Sequence, residues 1–558
     1  MSFRPLVDEL FADYFRLNPV HATNLGMHAH DGRWPDLSAA GHAAWRAWVT
    51  DAQARLAAVN LADLDPDETI DHDILSRSIA TWRFSAEELR DETWSPLSYV
   101  YLFGDGLFTL LAREFAPLAE RLASAASRLR GLPAALDQAR GTLLGGGPRP
   151  ISQFHTQKAV ERIGGVGQLV ANVVNEADAL GDPALLAEVR AAADAAVTAL
   201  EAFSTWLRDD LLPRATGDFR LGPDLYAAKF HHNLQAEVSV EELEQRATAA
   251  FAQVRGEIIR LGRELWPAWM GDQTMPDDGA AAARAVLDKI SDDHPPAAEY
   301  LDFCRAENAR IEDFVREVDL MGLPDEPMQI VWTPEFLRSF GGAMLLSPGP
   351  LDRGLDSFFA VTPVREDWTP ELQESYLRED NARALRLLTI HEAVPGHYLQ
   401  LAYANRTPSL VRAAMQSGTF AEGWAVYITQ VMMDVGYGAD DPALMLVHWK
   451  FFLRSITNTM MDIGIHAGQM DRDEAMRLMV EGGFQEEGEA TAKWDRARLS
   501  STQLCEYYHG FVAMTDLEAE ARRRAAAEGR EFVYRPFLES VLAHGTPPLP
   551  VIRRILFG

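Results

Sequence analysis

The sequence predicts a mainly α-helical protein of two lobes, with a small β-sheet beside a cleft. Apolar residues recur at helical spacing through most of the 558 residues. A strand-like pattern is confined to residues 328–363. Prolines and glycines interrupt the helical pattern over residues 212–223. We therefore place an N-terminal helical lobe at 1–215 and a second lobe at 216–558, and we expect the two to form one continuous structural unit.

The helices of the N-terminal lobe follow from apolar periodicity and from the placement of proline. Phe3–Leu17 repeats apolar residues every three or four positions, and Leu185–Leu207 does the same with much alanine. Pro117–Arg130 and Pro133–Leu144 each begin on a proline, which a helix tolerates in its first turn. We therefore predict four helices over these ranges. His28–Asp31 lies among turn-forming residues, where we predict a solvated loop in preference to a metal-binding cluster.

The second lobe begins with a long helix at Ser239–Leu265 and later changes pattern. Gln329–Trp332 and Ser357–Thr362 are short and rich in aromatic or β-branched residues, with glycine and proline between them. We predict that both are strands of one small sheet. Such a sheet either offers an edge with which an extended peptide can pair or forms a hairpin that covers the core. The sequence favours neither interpretation over the other.

Helices return after the sheet and continue to the end of the chain. The apolar spacing again follows the helical period, and proline, glycine or polar residues separate the segments. The predicted helices are 371–390, 397–405, 409–435, 442–468, 471–481, 486–509, 512–528 and 535–544.

Composition excludes several classes of function. The chain has 52 basic and 82 acidic residues, and its net charge of −30 repels nucleic acid and anionic lipid. The triple glycine at 145–147 lacks the lysine and hydroxyl residue of a phosphate-binding loop. Cys304 and Cys505 are the only cysteines, so there is no disulfide framework. No apolar run reaches the roughly 18 residues of a membrane span, and Asp8 and Glu9 lie where a signal peptide needs an apolar run. We therefore expect a cytoplasmic protein without a nucleic-acid or membrane partner.

The segment HEAVPGH at residues 391–397 places two histidines and a glutamate within seven positions. Zinc hydrolases use neutral imidazoles as ligands and a carboxylate that takes a proton from the attacking water. On an unbroken helix, His397 would lie roughly 120° around the axis and about 9 Å along it from His391. Pro395 and Gly396 interrupt the helix inside that gap. We therefore predict a helix end or bulge that brings both imidazoles to one Zn2+ ion, with Glu392 as the general base.

A zinc site needs a third protein ligand, and Glu422 is the best candidate. It is the one carboxylate in an apolar or small-residue helical run, where a buried charge is costly without a counter-ion. The adjacent Gly423 would let a neighbouring backbone come close. The alternative is a structural ion pair between Glu422 and an arginine of the core, such as Arg454. Asp434 and Asp462 are weaker candidates for the third ligand.

Polar groups set into the apolar C-terminal helices are candidate donors for catalysis. Hydrolysis of an amide needs hydrogen-bond donors for the oxyanion that forms. Tyr507 or Tyr508 could donate to that oxyanion, and His466 could donate to it or to the leaving group. Arg454 could hold a substrate carboxylate through two parallel hydrogen bonds. Buried tyrosine and histidine also serve structural hydrogen bonds, so these roles stay open.

These segments together resemble the bacterial family named domain of unknown function eight-eight-five. HEAVPGH, EGWAVY at 422–427, DIGIH at 462–466 and Gln503–Gly510 match its pattern of HExxPGHxxQ, EGWAxY, DxGxH and QxxxYxxG. The match includes Leu17–Gly26, so the resemblance spans nearly the whole chain. Where the family often carries Pro-Gly just before the glutamine, this chain has Ser501-Thr502. The loop that holds Tyr507 therefore departs from the family pattern.

The resemblance implies the mainly helical fold of the gluzincin carboxypeptidases and oligopeptidases. It implies a zinc-dependent peptidase that acts on short peptides in a deep cleft, as a carboxypeptidase or an oligopeptidase. Two alternatives remain, a zinc amidohydrolase for a non-peptide or modified amino-acid amide and an inactive relative that binds peptides. The residues that the resemblance assigns are the zinc ligands His391, His397 and Glu422, the general base Glu392, and the transition-state donors Tyr507 and His466.

Overall fold

The computed structural model describes residues 3–326, 328–333, 343–365 and 368–558. Over these ranges the chain is mainly helical and contains one three-stranded sheet, as predicted. The chain divides into two compact units, and the first includes two short segments that the sequence pattern placed in the second lobe. The first unit contains the described residues of Met1–Leu221, Pro348–Leu355 and Ser409–Met415, and the second those of Gly222–Ser347, Asp356–Pro408 and Gln416–Gly558.

The first unit is built from amphipathic helices with polar caps. Asp65 and Glu68 form a capping box, in which each carboxylate accepts the backbone N–H of the other residue. The predicted helix start at Pro133 is wrong, because one helix runs through Pro133 with Leu132 and Leu136 buried on either side of it. The helices before residue 222 are α1 Phe3–Leu17, α2 Pro19–Leu25, α3 Ala39–Ala57, α4 Pro66–Phe84, α5 Pro96–Ala112, α6 Leu118–Gly145, α7 Gln153–Leu180 and α8 Pro183–Trp206.

The prediction of a solvated loop at His28–Asp31 is also wrong. His28 begins a short 3-10 turn, and its ring nitrogens lie 2.9 Å from Asp31 Oδ2 and 2.8 Å from Asp352 Oδ1. The ring stacks on Phe115 with 3.7 Å between centroids. Asp31 is buried, and a buried carboxylate needs a partner of opposite charge. The pairing of His28 with the buried Asp31 therefore holds this segment against the interior of the first unit.

The remaining elements follow in chain order, and all except α16 belong to the second unit. They include the sheet and the helices that carry the predicted motifs. Before and within the sheet these are α9 Pro223–Leu234, α10 Val240–Met270, α11 Gly279–Ile290, α12 Tyr300–Glu317, β1 Met328–Trp332, β2 Ala343–Leu346 and β3 Ser357–Val361. After it come α13 Pro370–Glu379, α14 Ala382–Glu392, α15 His397–Ala404, α16 Leu410–Ala414, α17 Gly418–Asp434, α18 Pro442–His466, α19 Arg472–Met476, α20 Glu487–Leu499, α21 Glu506–Ala527, α22 Tyr534–Leu542 and α23 Leu549–Phe557.

Three of the predicted long helices are each divided into two. The side chain of Asn381 accepts the N–H groups of Arg383 and Ala384, and it starts α14 where one helix over 371–390 was expected. Ser417 starts α17 in the same way. A capping side chain satisfies backbone donors at a helix start, so it favours a new helix over a continuous one. The third division falls between α20 and α21.

The sheet has the strand order β1-β3-β2, with β1 parallel and β2 antiparallel to the central strand. Phe359 of β3 pairs with Ile330 on one side and Leu345 on the other. One face packs on a buried core that includes Tyr300 and Leu385. The sheet therefore covers a core, although its parallel pair rules out a simple hairpin. Among the described strands, β1 and β2 each lie at an edge of the sheet.

Candidate metal centre

The helix breaks inside the HEAVPGH motif, as predicted, because α14 ends and α15 begins within it. The Val394–Pro395 peptide bond is cis. Gly396 has φ of −77° and ψ of −134°, a pair that lies outside the α and β regions. A Cβ at Gly396 would lie 1.9 Å from the carbonyl oxygen of His391. Glycine is required because the returning chain passes directly over the last turn of α14.

The side chains of His391, His397 and Glu422 converge on one point in the second unit. Nε2 of His391 lies 3.8 Å and Nε2 of His397 lies 3.5 Å from Oε2 of Glu422. The two imidazole centroids are 4.8 Å apart, with the rings nearly perpendicular. A tetrahedral zinc with ligands at about 2.1 Å holds neighbouring donor atoms roughly 3.4 Å apart. The spacing of the three side chains fits that requirement.

A close helix crossing fixes the position of Glu422 on α17. A Cβ at the adjacent Gly423 would lie 2.4 Å from Cα of Gly510 on α21, so the predicted close approach of a backbone is confirmed. A Cβ at Gly510 would lie 2.2 Å from the carbonyl oxygen of Thr419. The two glycines therefore let α21 lie directly against α17. The crossing places Tyr507, one turn before Gly510, beside Glu422.

Burial and mutual contact set the charges of the three side chains. Burial lowers the pKa of His391 to about 3, so its ring is neutral, as a metal ligand must be. Burial lowers the pKa of His397, but contact with Glu422 outweighs burial, so this pKa is raised. The same contact outweighs burial for Glu422, whose pKa is lowered. Among the described residues, Oε2 of Glu422 is buried without a hydrogen bond. A divalent cation would satisfy that oxygen, so the donor set fits zinc.

Glu392 lies in the last turn of α14, next to His391, and is half-buried. Burial raises the pKa of its carboxyl to about 7. The backbone N–H of Leu345 in β2 lies close enough to this carboxyl to oppose the rise. Alternate residues of an antiparallel strand point their N–H groups away from the partner strand. The side of β2 that faces away from β3 therefore lies against the predicted general base.

Of the two candidate tyrosines, Tyr507 is the one beside the converging side chains. Its hydroxyl lies close enough to Glu422 to contribute to the lowered pKa of that carboxyl. Nη2 of Arg496 donates to the same hydroxyl at 3.1 Å. Burial raises the pKa of Tyr507 to about 12. The hydroxyl of Tyr508 donates instead to the carbonyl of Arg246 at 3.1 Å, so it serves the packing of α21 against α10.

The structure does not bring His466 to the converging side chains. Its Nε2 donates to the carbonyl of Ala497 at 2.8 Å, and its ring lies parallel to Tyr226 with 6.0 Å between centroids. Phe451 on the same helix packs beside His391, with ring centroids 5.9 Å apart. His466 lies about four turns, or roughly 22 Å, further along α18 than Phe451. We therefore correct the expected role of His466 from transition-state donor to structural hydrogen-bond donor.

The weaker candidates for the third ligand are held elsewhere. Oδ1 of Asp462 accepts from the hydroxyl of Tyr226 at 2.7 Å and from the N–H of Thr502 at 2.9 Å. Oδ1 of Asp434 accepts from Gln430 at 2.8 Å. Neither aspartate belongs to the group of three converging donors, which in the described residues is His391, His397 and Glu422.

Arg454 borders the converging side chains without pairing with Glu422. Its Nη1 lies 2.9 Å from Oε1 of Glu489, so the ion pair that was the alternative interpretation of Glu422 is not formed. The guanidinium lies over Phe451, 5.7 Å from the ring centroid, and Phe451 packs beside His391. The predicted site residue therefore lies one aromatic ring away from a candidate ligand.

Two charged residues near Arg454 were not predicted, namely Glu489 and Lys493 on α20. Both are largely buried. Glu489 and Lys493 flank an apolar stripe of Ala490, Trp494 and Ala497, which is buried against the second unit. The lysine beside this apolar stripe was the one sequence feature that could have indicated a buried charge. Helical periodicity does not reveal which distant side chains contact that lysine.

Comparisons with known proteins give a family and two similar structures. The family model described as "Bacterial protein of unknown function (DUF885)" matches residues 19–556. A putative lipoprotein of unknown function from Shewanella oneidensis is 31% identical with a TM-score of 0.86, and the match covers 100% of both chains. The putative lipoprotein from Colwellia psychrerythraea is 18% identical with a TM-score of 0.80, covering 99% of this chain and 98% of that one. No curated protein matches.

The expectation of a cytoplasmic protein is contradicted by these comparisons. Both similar structures are named as lipoproteins, which carry a lipid anchor at a membrane. Charge and hydropathy, on which the expectation rested, describe the folded body and do not report on an anchor of the kind that these names indicate. In the part of the chain that the structure describes, no helix is long and apolar enough to cross a membrane.

Proposed function

We propose that this chain, which belongs to the bacterial DUF885 family of unknown function, is a zinc-dependent peptidase that hydrolyses short peptides. The proposal is carried by the convergence of His391, His397 and Glu422, whose donor atoms all lie within 4.8 Å of one another. A cluster with only a structural role would be expected to satisfy its buried polar atoms by hydrogen bonds. Oε2 of Glu422 is instead buried without one among the described residues.

The side chains of the site divide the chemistry between them. His391, His397 and Glu422 would hold the zinc. Bound zinc supplies a Lewis acid that polarises the scissile carbonyl and makes water acidic enough to react near neutral pH. The carboxylate of Glu392 takes a proton from the attacking water and delivers it to the leaving nitrogen. The hydroxyl of Tyr507, beside Glu422, donates to the oxyanion.

The position of β2 supports a peptide as the substrate. The N–H of Leu345 lies close to Glu392, so the outer side of β2 runs along the proposed general base. An extended peptide that adds to this side would place its amide bonds next to that carboxylate. Short amides without an extended backbone could not pair with β2 and would gain no binding free energy from it. We therefore favour a carboxypeptidase or oligopeptidase over an amidohydrolase for non-peptide substrates.

Metal content and turnover test the proposal together. Protein purified without chelator is analysed for zinc and assayed on a panel of short peptides and acyl-amino acids. We expect one zinc per chain and peptide cleavage in the wild type. Glu392→Gln should keep the zinc and lose about 100-fold or more in kcat, because the proton acceptor is gone. His391→Ala should lose the zinc, and the control His231→Ala, which removes an exposed imidazole of the same unit, should keep both properties.

Each outcome points to a different conclusion. Full activity of Glu392→Gln would end the assignment of the general base. Zinc retained by His391→Ala at the wild-type level would end the assignment of the metal site. Cleavage of acyl-amino acids without cleavage of peptides would support the amidohydrolase. Bound zinc without turnover of either class would support an inactive relative that binds peptides.

A further inference from the structure

One face of α20 carries a row of charged side chains that leads to the proposed metal centre. Glu489, Lys493 and Arg496 follow one another at spacings of four and three, so they share a face of the helix. At one end, Glu489 pairs with Arg454 on α18 at 2.9 Å. At the other end, Arg496 donates to the hydroxyl of Tyr507 at 3.1 Å. The row therefore runs from Arg454 to the tyrosine beside Glu422.

Arg454 is placed to meet a ligand that enters from the solvent. Its pKa is affected most by burial, which lowers it, and the nearby carboxylates of Glu489 and Glu379 raise it overall. Its side chain nevertheless keeps 36% of its surface exposed. A group that is surrounded by protein and still exposed lies in a concave surface. The ring of Phe451 contacts both the guanidinium and His391, with distances to its centroid of 5.7 Å and 5.9 Å.

Lys493 is the least expected member of the row. It is 7% exposed, and its ammonium has no hydrogen bond or ion pair within 4.0 Å among the residues that the structure describes. Glu489, one turn earlier, is the usual partner for a lysine at this spacing, but it is taken by Arg454. Burial, together with the charge of Arg454, lowers the pKa of Lys493 to about 7. The stem of Lys493 is buried, but its nitrogen is not among the fully buried polar atoms without a partner, so the ammonium reaches solvent, where an incoming anion can meet it.

We infer that Arg454 and Lys493 form a subsite for a carboxylate of the substrate, next to the proposed metal centre. The inference rests on the proposed peptidase function and narrows its substrate to peptides with a carboxylate close to the scissile bond. Arg454 supplies a planar fork that matches a carboxylate, and Lys493 supplies a point charge behind it. Glu489 acts as a positioning residue, because it holds the guanidinium from the side opposite to the ligand.

The charges and distances favour a carboxylate one or two residues from the scissile bond. Each residue of an extended peptide spans roughly 3.5 Å. The distance from His391 to Arg454 across the ring of Phe451 therefore corresponds to only a few peptide residues. Glu379 and Glu489 already offset much of the positive charge, which suits a monoanion better than a phosphate dianion. The carboxylate is then either the C-terminus of the peptide or an acidic side chain near it.

Peptide binding, measured separately from turnover, tests the inference. The zinc-loaded Glu392→Gln protein is titrated calorimetrically with Ala-Ala-Leu, with its C-terminal amide, and with the C-terminal amide of Ala-Ala-Glu. We expect the free acid to bind about tenfold or more tightly than its amide, because the amide lacks the charge that Arg454 and Lys493 meet. Adding Lys493→Met should reduce this ratio at least about fivefold. The control Lys289→Met removes the same charge from an exposed site in the same unit and should leave the ratio unchanged.

The possible results separate this inference from the proposed function. Equal binding of acid and amide, or an unchanged ratio in Lys493→Met, would overturn the subsite. A lower melting temperature of Lys493→Met with an unchanged ratio would identify a merely structural lysine. Tight binding of the Ala-Ala-Glu amide would support the subsite and identify a side chain as the source of the carboxylate. If the wild type cleaves no peptide while the binding ratio holds, the subsite stands and the peptidase proposal fails.

Discussion

Gly396 carries the strictest steric demand of the candidate site. A Cβ there would lie 1.9 Å and 2.3 Å from the carbonyl oxygens of His391 and Ile390, which are backbone atoms of α14. Gly396→Ala must therefore displace the turn, and we expect the free energy of unfolding to fall by about 3 kcal/mol and zinc to be lost. Gly256→Ala is the control, because its Cβ meets nothing within 4 Å and should stabilise α10 by up to about 1 kcal/mol. Urea denaturation and zinc analysis measure both effects, and equal stability of the two variants would contradict the steric account.

The charge of His28 makes the stability of the first unit depend on pH. Burial lowers its pKa, but hydrogen bonds and charges from Asp31 and Asp352 outweigh burial and raise the pKa to about 9. The stabilisation is therefore complete below the unfolded value of about 6.5 and is lost as the pH rises through about 9. We expect His28→Gln to lower the free energy of unfolding by about 1–2 kcal/mol at pH 6, allowing for solvent screening of a partly exposed pair.

The same comparison at pH 10 should show little difference between His28→Gln and the wild type, because His28 is then neutral in both folded and unfolded chains. His30→Gln is the matched control, since burial lowers the pKa of His30. Removing His30 should not destabilise the protein at pH 6. A loss of stability in His28→Gln that is the same at both pH values would contradict an ionic role.

At the scale of elements, the loop between α20 and α21 shows how a departure from the family pattern is accommodated. Thr502 has φ of 70°, a region that favours glycine. Its N–H donates to Asp462 at 2.9 Å, which holds the loop that precedes Tyr507. A side chain with a Cβ costs roughly 1–2 kcal/mol in this conformation. The chain therefore keeps the conformation that Pro-Gly would favour, and a buried aspartate stabilises it.

This strain predicts an inverted order of stability between two substitutions. Thr502→Gly should be more stable than Thr502→Ala by about 1 kcal/mol, because only glycine adopts a positive φ freely. At the exposed helical position Thr515 of α21, the glycine variant should be less stable than the alanine variant by about 1 kcal/mol. Urea denaturation of the four variants measures both differences. If Thr502→Ala is at least as stable as Thr502→Gly, the loop is not strained at this residue.

Helix positions could be predicted from the sequence better than helix ends. Apolar periodicity identified α1 and the segments around α17 and α18, because each has a continuous buried stripe. The division before α14 depends on the side chain of Asn381, and the one before α17 depends on Ser417. Asparagine and serine also occur within helices, so a cap is recognised only when the tertiary fold turns the chain there.

At the scale of the whole molecule, the features of the site that lie within one sequence segment could be predicted, and the contacts between segments far apart in the sequence could not. The break between His391 and His397 follows from a proline and a glycine inside the motif, and Glu422 was distinctive as one carboxylate in an apolar run. The pairing of Arg454 with Glu489 joins α18 and α20, and no periodicity encodes which helices meet. Among the described residues, Lys493 lacks a carboxylate partner because Glu489 pairs with Arg454, so this feature could be recognised only in the structure.

Anomalous X-ray scattering from a crystal of zinc-loaded protein, with data on both sides of the zinc absorption edge, tests the central claim most directly. We predict one anomalous peak per chain, at about 2.0–2.2 Å from Nε2 of His391, Nε2 of His397 and a carboxylate oxygen of Glu422. No peak at this position, or a peak bound by other residues, would contradict the assignment of these three side chains as a zinc site.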